Sequence, residues 1–266
     1  MDWLQALLLG LVQGLTEFLP VSSSGHLELG KVILGVETQE DLTFTVVVHG
    51  ATVLSTIIVF WRELWRLLRG AVRVKLNEET NYLLKIGVSM IPVLFVGIFL
   101  EDWVESFFSG NLLFVGSMLL VTAVLLGFAH FFKPGSQGKP VTWFSAFIIG
   151  IAQAVATLPG ISRSGATIST ALLLGTERRE AAQFSFLMVL VPIIGANLLK
   201  IKDFGEQAAV ATGQSTTALP LIIGFIAAFL SGLLACSWMI NLVKKGKLIW
   251  FAVYCLIIGV IAIIAA

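Results

Sequence analysis

Residues 3–36 read WLQALLLGLVQGLTEFLPVSSSGHLELGKVILGV, and residues 143–176 read WFSAFIIGIAQAVATLPGISRSGATISTALLLGT. Each is an apolar run of helical length that breaks into a polar Ser/Gly turn and resumes as a shorter apolar stretch, 27–36 and 166–176. The resumed stretches are too short to cross a bilayer, whose core takes about 20 helical residues. Helix, polar turn and half-length helix is the pattern of a re-entrant hairpin, which enters a membrane and returns to the same side. Its non-helical tip is tolerated at membrane depth only where protein or a wet cavity surrounds it.

The two stretches are copies. A gapless shift of 140 residues gives 12 identities over the 42 positions 3–44, where composition alone gives about three. The pairs include Trp3/Trp143, Gly10/Gly150, Gln13/Gln153, Ser22/Ser162, Ser24/Ser164, Gly25/Gly165 and Gly35/Gly175.

Working outward, the whole chain reads as membrane-embedded. Of its 266 residues 57% are hydrophobic and 12% charged, and the mean hydropathy is +0.95. That composition cannot supply a water-exposed surface around one core. Six further apolar runs are long enough to cross, at 42–60, 82–100, 112–132, 182–199, 221–240 and 248–266. Trp61, Trp65, Trp103, Trp143 and Trp250 fall near run ends, as an interfacial belt requires. The predicted fold is an all-α integral membrane protein with six transmembrane helices and two re-entrant helical hairpins. Residues 1–140 form repeat 1 and 141–266 form repeat 2, within one integrated membrane domain. Three spans per repeat is an odd number, so the second copy is expected upside down relative to the first.

Charge placement supports that inversion. With both termini outside, the inner side holds Arg62, Arg66, Arg69, Arg73, Lys75, Lys133, Lys139, Arg178, Arg179, Lys244, Lys245 and Lys247. The outer side keeps Lys31, Lys200 and Lys202, which satisfies the positive-inside rule. The hairpins then enter from opposite faces, and their tips can meet near the midplane. The stretch from Arg62 to Lys75 reads as a basic loop beside anionic membrane lipid.

Ionisable groups at membrane depth are costly and are functional candidates by default. Glu17, His26 and Arg163 lie at the tips, among the hydroxyls of Thr16, Ser22, Ser23, Ser24, Ser162, Ser164 and Thr167. A structural Glu17–Arg163 ion pair would not need so many hydroxyls. Arg163 offers a planar fork of donors suited to phosphate oxygens. Gly25 and Gly165 permit tight turns, with a helix expected directly after each, and a helix N-terminus favours anions. Together these features point to a phosphate or diphosphate ligand.

For hydrolysis, Ser23 is the candidate nucleophile and His26 the candidate proton carrier. Glu17 could hold a divalent cation, Mg²⁺ or alternatively Ca²⁺, with the substrate supplying further ligands. Gln13, one helical turn before Glu17, could orient water or phosphate. His49 and His130 read as packing or interfacial residues, and Cys236 and Cys255 as buried apolar-like side chains. Glu37/Glu177 and Glu40/Glu180 read as caps or contacts locking the repeats.

Other classes fit poorly. A net charge of +1 gives no basic face for nucleic acid. A Walker P-loop, an H-E-x-x-H motif and a Cys cluster are absent from the sequence. The early Asp2, with no Lys or Arg before Lys31, argues against a cleaved signal peptide. A type-2 phosphatidic acid phosphatase needs a His where Ser169 stands. The contrasting reading is an inverted-repeat transporter or a flippase for a phosphorylated lipid, which shares this architecture. The combination of Ser23, His26 and Glu17 favours chemistry.

The blocks QGLTEFLPVSSSGH at 13–26 and PGISRSGAT at 159–167 resemble those of the undecaprenyl-diphosphate phosphatases of the bacitracin-resistance type. The resemblance runs from end to end. It implies a multi-pass protein of the bacterial inner membrane that hydrolyses undecaprenyl diphosphate to undecaprenyl phosphate, recycling the lipid carrier for peptidoglycan. It also implies a divalent cation, bacitracin resistance and a site open to the periplasm. The family's acidic motif falls on Gln13 and Glu17, its first Ser/His block on Ser23 and His26, and its second block on Ser162, Arg163, Ser164 and Thr167. Two departures are Gln13 for Glu and Ser24 for Thr; the first leaves Glu17 as the sole carboxylate. Oligomeric state is left open, with a homodimer compatible.

Overall fold

A computed structural model describes residues 1–36, 41–72, 77–108, 110–131, 138–210 and 218–266, with backbone alone for 41–42 and 196–210. Glu37, Glu40, Arg73, Lys75, Lys133 and the side chains of Lys200 and Lys202 lie outside the described residues. The described chain is helical, and its one β-bridge joins Lys139 to Thr176.

The first broken segment forms α1 (Trp3–Phe18) and α2 (Ser23–Leu34), and the second forms α8 (Trp143–Val155) and α9 (Arg163–Leu173). Between them lie α3 (Asp41–Val59), α4 (Trp61–Val72), α5 (Glu78–Phe99), the single turn α6 (Glu101–Glu105) and α7 (Leu112–Phe131). The chain closes with α10 (Arg178–Val210), α11 (Ala218–Lys244) and α12 (Ile249–Ile264).

Among the described residues, three helices are long and apolar enough to cross a membrane by themselves: α5, α7 and α11. The bent pair of α3 and α4 raises the number to four if it is counted as one span. At 16 residues α12 is apolar but short. The protein is therefore a multi-pass, all-helical membrane protein. Its outer surface agrees: Ile91, Leu94, Phe95 and Ile98 of α5 and Leu256, Ile257 and Ile261 of α12 are all exposed, a surface that lipid covers.

Local chemistry explains where the helices begin. Capping boxes open α1 (Asp2 with Gln5) and α8 (Thr142 with Ser145), at positions 140 apart. Ser22 and Ser162 cap α2 and α9, accepting from the N–H of Gly25 at 3.3 Å and of Gly165 at 3.0 Å. Gly35 and Gly175 end the return stretches at φ +63° and +82°, a conformation glycine adopts without steric cost.

The caps correct one expectation. The return helices begin at Ser23 and Arg163, ahead of 27 and 166, because Ser22 and Ser162 draw the Gly turns into their first turns. The stretch from Arg62 is also not a loop. Residues 61–72 form α4, bent 76° from α3.

Packing brings the two halves together through small residues. A Cβ on Gly10 of α1 would lie 2.5 Å from the carbonyl oxygen of Gly224 in α11. One on Gly150 of α8 would lie 2.4 Å from that of Ser89 in α5, and one on Gly116 of α7 would lie 2.8 Å from that of Gly259 in α12. Such contacts let backbones approach where lipid offers no hydrophobic driving force. Lys85 donates to the carbonyl of Val141 at 2.6 Å. Cys236 and Cys255 are free and buried.

Candidate active site

The two tips touch. A Cβ on Gly25 would stand 3.1 Å from Gly160 Cα, and Ser164 Oγ donates to the carbonyl of Leu19 at 3.2 Å. At this junction the last turn of α1 presents Glu17 and the start of α9 presents Arg163.

Glu17 is the hub. Its Oε2 accepts from Ser23 Oγ at 2.6 Å and from Gln13 Nε2 at 2.9 Å. His49 Nε2, from α3, lies 3.9 Å from the same oxygen. Arg163 Nη2 lies 3.7 Å from Oε1, beyond hydrogen-bond distance. The carboxylate is thus nearly enclosed but flanked by the His49 imidazole and the Arg163 guanidinium, whose charge offsets the cost of burying it. Its side chain is 8% exposed against 30% for that of Arg163, so the guanidinium fork is the part open to a ligand.

The remaining expected residues divide into two groups. Ser22 and Ser24 pair through their hydroxyls at 3.3 Å, as do Ser162 and Ser164. Thr16 donates to Val12 O at 2.6 Å and Thr167 to Arg163 O at 2.9 Å, so both satisfy their own helices. The caps engage the N–H groups of Gly25 and Gly165, so these are not anion donors. The first N–H groups of each helix, at Ser23 and Ser24 and at Arg163 and Ser164, have no acceptor within their own helix. Ser22 itself sits at φ +70°, the sole described non-glycine residue with positive φ. This places backbone strain at the first tip and not the second, where Ser162 has φ −74°.

His26 turns away from Ser23. Its Nδ1 bonds the carbonyl of Ser22 at 2.8 Å, and its Nε2 bonds Tyr254 Oη of α12 at 2.9 Å. The rings stack at 5.5 Å. A carbonyl only accepts, so Nδ1 carries a proton, and with the ring neutral Tyr254 donates to Nε2. The group within reach of the Ser23 proton is therefore Glu17.

Sequence reasoning missed three contributors. His49 was expected to be packing, yet it borders Glu17; its ionisable ring inside an apolar helix was the signal. Tyr254 gave only the weaker signal of a phenol within a span. Thr122 of α7 donates to Gly160 O at 3.1 Å and accepts from Ser162 N at 3.0 Å, fixing the second tip. Nothing in the sequence marked it. His130 stays outside, packed edge-on against Phe131.

A small, partly open cleft adjoins this junction. Its lining mixes Glu17, Arg163, Ser164 and Thr167 with Val53, Val189, Leu190 and Ile193, and Thr52, Thr56 and Ser185 add hydroxyls from α3 and α10. A ligand that joins an anionic group to hydrocarbon matches this mixed lining.

The family described as bacitracin resistance protein BacA matches residues 6–261. The chain belongs to this family. Proteins named undecaprenyl-diphosphatase from Bacteroides fragilis and Bacteroides thetaiotaomicron are 54% and 52% identical to it. The first alignment covers 100% of this chain and 99% of the relative, and the second 99% of each. The protein of that name from Christiangramia forsetii is 55% identical, over 100% of this chain and 99% of its own.

Proposed function

We infer that the protein hydrolyses undecaprenyl diphosphate to undecaprenyl phosphate and inorganic phosphate, the activity that bacitracin resistance accompanies. The observation that carries this is Glu17, hydrogen-bonded to Ser23 and 3.7 Å from Arg163, beside a cleft that Glu17 and Arg163 line together with apolar side chains. The names of the full-length relatives support it.

Arg163 binds the terminal phosphate, assisted by the N–H groups that open α9. Ser23 Oγ attacks the terminal phosphorus as Glu17 Oε2 accepts its proton, and the bridging oxygen leaves with undecaprenyl phosphate. Water then attacks the phosphoserine. Ser23 Oγ departs with the proton held by Glu17, and the water's oxygen and protons leave in inorganic phosphate. Tyr254 holds His26 with Nε2 as an acceptor beside this centre.

Mg²⁺ or Ca²⁺ fits the donor set in one respect. The carboxylate of Glu17 adjoins Gln13, whose buried Oε1 has no hydrogen-bond partner, and hard divalent cations take oxygen ligands. Among the described residues no cluster of three His, Cys, Asp or Glu side chains forms a protein-only site, so substrate oxygens would have to complete the set. Such an ion supplies charge neutralisation for the diphosphate.

We place the site in an inverted repeat of the bacterial inner membrane, opening to the periplasm, with six spans and α1–α2 and α8–α9 as re-entrant hairpins. The cross-packing supports this: α1 of the first copy lies on α11 of the second, and α8 of the second on α5 of the first. The test is phosphate release from undecaprenyl diphosphate by purified protein, with Mg²⁺ and with EDTA. Metal-dependent release that disappears in Glu17→Ala is expected. Absence of release by folded wild-type protein that binds the lipid would refute the assignment.

A further inference from the structure

The short helix α4 plays no part in the site, yet its three faces are sharply divided. At about 100° per residue, positions 61, 65, 68 and 72 share one stripe and 62, 66 and 69 another. Trp61, Trp65, Leu68 and Val72 are exposed by 58%, 45%, 56% and 80%. Arg62, Arg66 and Arg69 are exposed beside them. Leu67 and Gly70 face inward, where a Cβ on Gly70 would stand 2.4 Å from Glu79 Cβ of α5. Asn77 Nδ2 fastens the end of α4, donating to Gly70 O at 3.0 Å. The orientation of the helix is therefore set by its packing.

We infer that α4 lies in the plane of the membrane interface, its Trp/Leu/Val stripe in the acyl boundary and its arginine stripe bound to the phosphates of anionic phospholipids. Twelve residues cannot span a bilayer, and the 76° bend carries α4 away from the direction of α3. Its apolar stripe follows the exposed Leu54 and Ile58 of α3, so the lipid that covers α3 also reaches α4. Trp61 and Trp65 stack at 6.0 Å, and the Arg69 guanidinium lies 4.8 Å over the Trp65 ring. Indoles of this kind favour the headgroup level. Glu63 engages Arg66 and Gln183, which holds one member of the basic stripe at a fixed height. Guanidinium groups beside an apolar face complement phosphate headgroups in a way that neutral lipid cannot exploit fully.

The test uses the full chain in nanodiscs of phosphatidylcholine, alone or mixed with phosphatidylglycerol. A nitroxide at Leu68→Cys is expected to collide with oxygen and to be shielded from a water-soluble nickel chelate. Phosphatidylglycerol is expected to raise Tm, and Arg62→Gln/Arg69→Gln to lose at least half of that rise while keeping its Tm in phosphatidylcholine. A label open to the nickel chelate would overturn the proposal. So would a label shielded from both probes, which would mean that a second copy or another protein covers the stripe. An undiminished phosphatidylglycerol effect in the double variant would contradict the arginine assignment. These readouts do not depend on the diphosphatase reaction.

Discussion

The first tip carries Gln13, Glu17, Ser23 and His26 where the second carries Gln153, Thr157, Arg163 and Ala166, on backbones capped by serines 140 positions apart. In the first, Gln13 donates to Glu17. In the second, Gln153 is fully buried with neither amide atom partnered, and Thr157 folds its hydroxyl back to Ala154 O at 2.7 Å. The tips are also held by different means. Thr122 pins the second through two backbone groups, while Tyr254 and Cys255 of α12 reach His26 and Pro20 O of the first. Scaffold and chemistry have thus separated: the cap and the glycine are common to both, and each tip contributes a different half of one site. In the proposed mechanism the first contributes the acid/base and nucleophile, the second the phosphate-binding cation.

That division ranks the expected variants. Arg163→Ala should lower kcat/KM by on the order of 10³ or more and raise KM, because it removes the charge that meets the phosphate. Ser23→Ala should lower kcat by roughly 10²–10³ with KM little changed, whereas Ser164→Ala on the second tip should cost only about threefold. Phosphate-release kinetics with the lipid substrate would separate these cases, and near-wild-type turnover in Ser23→Ala would remove the serine from the mechanism.

The matched glutamines sharpen the comparison. Gln13→Leu should cost about tenfold in kcat, since it withdraws a hydrogen bond from the carboxylate. Gln153→Leu should leave activity intact and stabilise the protein by about 1 kcal/mol, because it replaces two unpartnered buried polar atoms. Thermal unfolding in detergent checks the second, and a fall in Tm for Gln153→Leu would mean that Gln153 has a role of its own. A modest effect is expected for Tyr254→Phe, which keeps the ring stack and loses one hydrogen bond of about 1 kcal/mol, or about fivefold in rate.

Much of this was legible from residue order. The shift of 140 exposed the paired turns, and the cost of charge in lipid singled out Glu17 and Arg163 before any geometry was known. The pairing of functional groups was not legible. Ser23 and His26 are three residues apart, which suggests a couple, but the cap at Ser22 turns the imidazole to the Ser22 carbonyl and leaves Tyr254, 228 positions away, as its second partner. His49 looked like packing because helical periodicity within one segment says nothing about which neighbour it will face. The basic stretch after Trp61 looked like a loop because its arginines mask an amphipathic stripe that only a helix reveals.

The central claim is that both tips build one reaction centre, and a double-mutant cycle tests it most directly. Phosphate release would be measured for wild type, Glu17→Gln, Arg163→Gln and the double variant. If the two side chains act on one substrate phosphate, the double variant should be about as slow as the slower single variant. If the two losses multiplied as independent factors, the tips would be acting separately and the account would fail.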